Sequence, residues 1–293
     1  MRECLFLLLL LAGCARMPPP PVPQPRYEIG QPYQLGGVWS YPREEFGLAE
    51  TGLAVVLPSG APRRTRNGDV FDGAAMVAAH RTLQLPAIVT LTNLENGRSL
   101  DLRVVERGPE QAGRIAGVSR RAGELLGVAP GGVFQARLEV QGAPSQALAR
   151  GLPGDRPAID IVAAPVGRVE RETLAAPAGA RLAAARTAPI RAAPVPLAEV
   201  SDAGLPPARL PETVRQGAPQ PGRLVLDGGV MFTQALAQRQ AARFGGRAEA
   251  SGPRSRQQEY RLRAGPFGSV AEADAALARA RTAGVGDARI IVE

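Results

Sequence analysis

Asn67-Gly68-Asp69, Ala78-Ala79-His80, the paired runs Ile88-Val89-Thr90-Leu91-Thr92 and Leu100-Asp101-Leu102-Arg103-Val104, and Glu106-Arg107-Gly108-Pro109 lie in one stretch of 43 residues that decides the fold. Asn96-Gly97 stands between the two apolar runs and is a strong signal for a tight hairpin turn. Alternation returns at Phe134, Ala136, Leu138 and Val140, whose neighbours Gln135, Arg137 and Glu139 are polar, as in a half-buried strand. Between these strands Ser119 is placed to cap a short helix carrying Ala122, Leu125 and Leu126, with Gly127 to stop it. Short strands with one or two helices in roughly 95 residues point to a small barrel.

The same stretch holds the only histidine of the 293-residue chain, His80, between two turns that carry carboxylates, Asp69 and Glu106. Imidazole is the side chain whose unperturbed pKa lies nearest neutrality. Two acids and an imidazole gathered by a β fold could move protons at a sugar bond. The same residues also fit two surface turns and a packed strand-end histidine, and residue types alone leave both readings open.

Outward from the barrel the composition changes. The chain has 28 Pro and 34 Gly, unevenly placed, and only 4% aromatics. Met1-Arg2 followed by Leu5 to Leu11 and Ala12-Gly13-Cys14 reads as a secretion signal, since the apolar run is too short to span a bilayer. Residues 15–45 are a Pro-rich tether and lead-in containing Trp39, which could stack on a sugar but is expected to pack against the domain it introduces. The barrel is expected over 46–142, a disordered Pro/Ala-rich linker over 143–221, with one stray strand at Ile159-Asp160-Ile161-Val162, and a second domain over 222–293. In that last part Leu224-Val225-Leu226, a helix from Thr233 to Phe244, a strand near Ala248, Tyr260-Arg261-Leu262-Arg263, a helix opened by Ser269-Val270-Ala271-Glu272 and Arg289-Ile290-Ile291-Val292 give the order β-α-β-β-α-β.

The net charge of +8 comes entirely from arginine, with no lysine in the chain. Arg63-Arg64 and Arg120-Arg121 read as solvated faces, and no nucleic-acid partner is expected. Both cysteines precede residue 15, so no disulfide staples the body. One His and no thiol beyond Cys14 give too few ligands for a metal, and no cofactor is expected.

Thr65 to Asp72, Ala78 to Leu83, Val89 to Ser99 and Glu106 to Pro109 together resemble the rare lipoprotein A family, whose members are septal lytic transglycosylases on a double-psi β-barrel. Tyr260 to Phe267 resembles the sporulation-related repeat (SPOR) domain that many members carry, and Leu11-Ala12-Gly13-Cys14 resembles a lipobox. The resemblance implies a mainly-β double-psi barrel, a linker, and a small α+β SPOR domain of ferredoxin-like order. It implies lipidation of Cys14, anchoring to the outer membrane facing the periplasm, and possible divisome partners. The implied reaction is non-hydrolytic cleavage between N-acetylmuramic acid and N-acetylglucosamine, leaving a 1,6-anhydro end, on septal glycan poor in stem peptides. The alternative is a weakened or inactive barrel that only binds peptidoglycan.

The family's catalytic positions fall on Asp69, His80 and Glu106, with glycan contacts expected from Asn67, Arg107 and Tyr260. Glu106 is the expected acid, Asp69 a charge stabiliser and His80 an orienting or proton-shuttling group. This chain departs from the pattern in several places. It has Asp69 where the family has Glu, and Glu106 where the family has Asp. A shift of ~1 Å in a reacting group can cost on the order of a hundredfold in rate. Ala54-Val55-Val56-Leu57-Pro58 replaces an aromatic segment of the family, Gly117 replaces a third acid, and Leu224 to Gly229 lacks the Gln and aromatics usual in the SPOR strand.

Overall fold

A computed structural model describes residues 21–154, 205–251 and 258–293. Cys14 and the Ile159–Val162 segment lie outside the described residues. A hairpin of Tyr33–Leu35 (β1) and Val38–Ser40 (β2) leads into the barrel strands. These are Ala49–Val56 (β3), the short Arg63–Arg64 (β4) and Val70–Phe71 (β5), Val77–His80 (β6), Ala87–Asn93 (β7), Arg98–Glu106 (β8) and Arg114–Val118 (β9). Helix Arg120–Leu125 (α1), strand Val133–Val140 (β10) and helix Gly142–Gly151 (α2) complete the first part.

Six strands close on themselves in the order β8-β6-β9-β3-β10-β7, with β7 returning to β8. The β3–β9 and β6–β8 pairs are parallel and the other pairs antiparallel. Two interlocked parallel crossings in a six-stranded closed sheet are the double-psi arrangement. The Asn96-Gly97 hairpin forms as its sequence dictates, with Thr92 opposite Ser99 and Gly97 at φ 77°. The interior is filled by Val89, Leu91, Leu100, Leu102, Val104, Val118, Phe134 and Leu138, each fully buried. Burying each such side chain is worth about 1.5–3 kcal/mol, so the interior holds the barrel shut. Ser119 caps α1, its Oγ accepting from Ala122 N at 3.2 Å and donating to the Ala75 carbonyl at 2.6 Å.

Two boundaries differ from the expected ones. The lead-in stops being a tether at Gln24, because Gln24 N donates to Gly68 O and Arg26 N to Asn67 O, and Tyr27 is buried. The spacer is also shorter than 143–221. Its start is α2, and residues 205–221 lie along the barrel as a strap, where Leu210 packs on the core and Arg215–Gln216 (β11) pairs with Ser99 and Arg98 of β8. Arg209–Asp72, Arg121–Glu212 and Arg215–Asp101 ion pairs fasten the strap. Proline-rich composition gave no sign of these partners, because they lie about 90–140 residues away.

The C-terminal domain has strands Leu224–Met231 (β12), Arg247–Ser251 (β13), Glu259–Phe267 (β14) and Arg289–Val292 (β15), and helices Gln234–Ala242 (α3) and Val270–Thr282 (α4). The sheet order β13-β14-β12-β15 is the ferredoxin-like arrangement. Ser269 caps α4 by accepting from Glu272 N at 3.2 Å, while Glu272 reaches back to Gly268 N at 2.9 Å, one residue earlier than a standard capping box. The core beneath the helices is alanine-rich (Ala237, Ala241, Ala273, Ala276, Ala280), so helices and sheet approach closely. This domain rests directly on the barrel. Leu53 and Leu94 of the barrel share one apolar cluster with Leu224, Leu226, Leu277 and Ile290. Arg114 grips Asp274 bidentately at 2.6 and 2.8 Å, and Thr51 Oγ1 donates to Val292 O at 2.7 Å.

Candidate active site

The Asn67-Gly68-Asp69 turn is buried. Asn67 Oδ1 accepts from Thr65 Oγ1 at 2.7 Å and its Nδ2 donates to Arg26 O at 3.3 Å, so its amide holds the turn and is closed to a glycan. Gly68 has φ 80°, and a Cβ there would stand 2.2 Å from Gln24 O, so the turn requires glycine. Asp69 Oδ2 accepts from Arg103 Nε at 2.8 Å and its Oδ1 from Val70 N at 2.9 Å. Both partners are sealed, with side-chain exposures of 6% and 2%, and Arg103 Nη1 is buried without a hydrogen-bond partner.

His80 ends β6. Its Nδ1 accepts from the backbone N–H of Thr82 and Leu83 at 3.2 and 3.1 Å, which leaves the proton on Nε2, facing Glu50 Oε1 at 2.9 Å. Ala116, its partner in β9, faces the barrel interior. Every polar atom of the ring is therefore committed to holding the strand end.

Glu106 ends β8 at a bulge, where Ala78 pairs with Val104 but Ala79 with Glu106. Its Oε1 accepts from Arg107 N at 2.9 Å, and its Oε2 is gripped by Arg63 Nη1. Glu106 keeps 14% side-chain exposure and Arg63 58%, so this pair is open to solvent. The Arg63 guanidinium also lies 5.3 Å from the centre of the Phe71 ring. Arg63 and Phe71 line a cleft of about 570 Å³ with Leu57, Pro58, Pro109 and Glu110. Phe71 and Leu57 also belong to a small apolar cluster with the buried Val77 and Val105.

No hydrogen bond links any two of Asp69, His80 and Glu106; each has its own partner on a different element. Each of the three expected residues thus has a contact of its own, and the pairing of β6 with β8 sets Glu106 opposite Ala79, the neighbour of His80. Arg107 is not a glycan contact either. Its guanidinium donates to the Leu83 and Ile29 carbonyls, and burial pulls its pKa below the usual arginine value. Tyr260 is half-buried and packs against the apolar core of the second domain. Arg63, read from sequence as part of a solvated face, is the residue that reasoning missed. Its position, six residues before Asp69 at the foot of a two-residue hairpin, was the available signal. Among the described residues no group of three His, Cys, Asp or Glu side chains forms a metal-binding cluster.

A model described as the SPOR domain matches residues 229–290. Curated proteins named endolytic peptidoglycan transglycosylase RlpA also match this chain. The Pseudomonas aeruginosa PAO1 protein is 35% identical over 233 residues, covering 78% of this chain and 66% of that one. Over that span this chain is similar to the rare lipoprotein A family. Family members from Vibrio cholerae (32% over 164 residues, 46% of this chain) and Rickettsia bellii (35% over 117 residues, 39% of this chain) match as well. The chain spans 61% and 52% of those two relatives' lengths. Within the family's pattern the missing third acid has a structural counterpart. A Cβ at Gly117 would stand 2.9 Å from Leu57 Cγ, Cδ1 and Cδ2, so the leucine side chain fills the space above that backbone.

Proposed function

We propose that the chain is a lytic transglycosylase of peptidoglycan, with Glu106 as the acid that reaches the glycan. The observation that carries this reading is the exposed ion pair of Glu106 with Arg63, an arginine that lines the cleft with Phe71, while Asp69 and His80 are closed. An exposed ion pair is worth about 0–1 kcal/mol, so an entering strand displaces Arg63 from Glu106 at little cost. The Glu106 carboxyl then protonates the glycosidic oxygen between N-acetylmuramic acid and N-acetylglucosamine. The muramoyl C6 hydroxyl attacks the anomeric carbon, and the Glu106 carboxylate takes that hydroxyl's proton, leaving a 1,6-anhydro end. Asp69 fixes β8 through Arg103, and His80 fixes the end of β6 beside it; both are positioning residues. The names of the relatives and the SPOR match support peptidoglycan as the polymer. Lipidation at Cys14, an outer-membrane location and a septal role with divisome proteins belong to the same proposal, supported by Leu11-Ala12-Gly13-Cys14. The test is digestion of glycan strands lacking stem peptides by the soluble form, with mass spectrometry of the ends. Anhydro ends that vanish in Glu106→Gln are expected; no anhydro ends at high enzyme loading defeats the proposal and leaves a glycan-binding barrel.

A further inference from the structure

The lead-in hairpin leaves open the sugar-stacking reading of its tryptophan. Trp39, expected to be packed, is 58% exposed, and Tyr41 two residues on is 63% exposed. Both line a pocket of about 290 Å³ where hairpin, barrel and C-terminal domain meet. The hairpin is held from both sides. Arg81 of the barrel donates to Leu35 O at 3.2 Å and Ser40 Oγ at 3.4 Å, and Tyr33 OH donates back to Arg81 O at 2.8 Å. From α4, Arg281 donates to Gly37 O at 3.0 Å. The two rings are therefore presented on fixed backbone, without the ordering cost that a mobile loop would add on binding.

The charge of the pocket is one-sided. Arg43, Arg81, Arg114, Arg281 and Arg289 line it, against the single carboxylate of Asp287. Arg43, Arg114 and Arg289 are paired with Glu45, Asp274 and Asp227, whereas the hydrogen bonds of Arg81 and Arg281 go to neutral oxygens. Exposed aromatic faces suit the C–H face of a pyranose ring, and guanidinium groups suit carboxylates. We infer that this pocket is a second binding site, away from the cleft of Arg63 and Phe71, for a sugar chain that carries carboxylates. Its occupant is a length of glycan strand whose muramic acid carboxyls are free, with Trp39 and Tyr41 against the sugar rings and Arg281 and Arg81 at the carboxylate. Only the identity of the polymer is taken from the proposed function; the pocket's chemistry carries the rest.

Trp39 is the sole tryptophan of the chain, so its fluorescence reports on this pocket alone. The experiment titrates the soluble form with oligosaccharides of alternating N-acetylglucosamine and N-acetylmuramic acid, and with N-acetylglucosamine oligomers of equal length. A saturable change with the acidic chain is expected, about tenfold tighter than with the neutral one and weakened by salt. Tyr41→Ala and Arg281→Ala should each weaken it by about tenfold or more, without a change in the circular dichroism of the fold. No fluorescence change, or equal affinity for the two chains, overturns the inference. The readout needs no bond cleavage, so an inactive barrel would leave it standing, and an active barrel with a silent Trp39 would overturn this site alone.

Discussion

The turn that carries Asp69 and the turn that carries Glu106 each set a carboxylate against an arginine, yet the two pairs work in opposite ways. Asp69 and Arg103 are sealed between strands, and Asp69 holds a further backbone N–H. Glu106 is held by Arg63, which lines a cleft, mostly in water and resting on Phe71. A buried pair is costly to break because the surviving charge stays stranded, whereas an exposed one exchanges its partner cheaply. Within this small barrel, the same chemical pairing thus serves as a rivet in one place and as a removable cover in the other.

The strongest way to break this comparison is Glu106→Gln. Glycan cleavage should fall by about 10²–10⁴-fold, the range expected for a lost proton-transfer group, with thermal unfolding unchanged; retained cleavage would remove Glu106 from the chemistry. Asp69→Ala should show the reverse emphasis, costing about 3–5 kcal/mol in denaturant unfolding because Arg103 is left buried and unpaired. The double change Asp69→Ala with Arg103→Leu should recover much of that loss, and failure to do so would show that the pair is not what Asp69 supplies. His80→Ala strips a partner from two backbone N–H groups and from Glu50, and should cost about 1–3 kcal/mol per group left unsatisfied. The pH profile of its remaining activity should keep the wild-type shape, since the ring holds a strand end and carries no proton to the sugar.

The smallest effect concerns the strap. The Arg215 hydrogen bond, set against partial burial and helped by Thr90, holds the Asp101 carboxyl below its ordinary value. Its folded pKa lies below the unfolded one, so the pairing contributes fully above about pH 4 and is lost as pH falls through the lower folded value. Amide exchange at Arg215 and Gln216 should therefore quicken on acidification before the barrel strands loosen, and quicken with salt at neutral pH.

How much of this the sequence disclosed depended on the range of the interactions. The hairpin at Asn96-Gly97, the Ser119 cap and the β-α-β-β-α-β order are written in residues within a few positions of one another, and they form where expected. Family resemblance placed the chemistry on Asp69, His80 and Glu106, but spacing could not tell which carboxylate would be sealed. That was decided by Arg103, sealed within β8, and Arg63, exposed on β4, two arginines whose surroundings are not written in their neighbours in sequence. Similarly, Pro and Ala composition hid the strap, because its ion pairs join residues about 90–140 positions apart.

The apolar cluster shared by Leu53, Leu94, Leu277 and Ile290, closed by the Arg114–Asp274 clamp, has a mechanical corollary. A strand held by the C-terminal domain would meet the barrel at a set angle and a set distance. The molecule would then measure along its polymer like a pair of callipers, and the spacing of its cuts would carry the imprint of that gap.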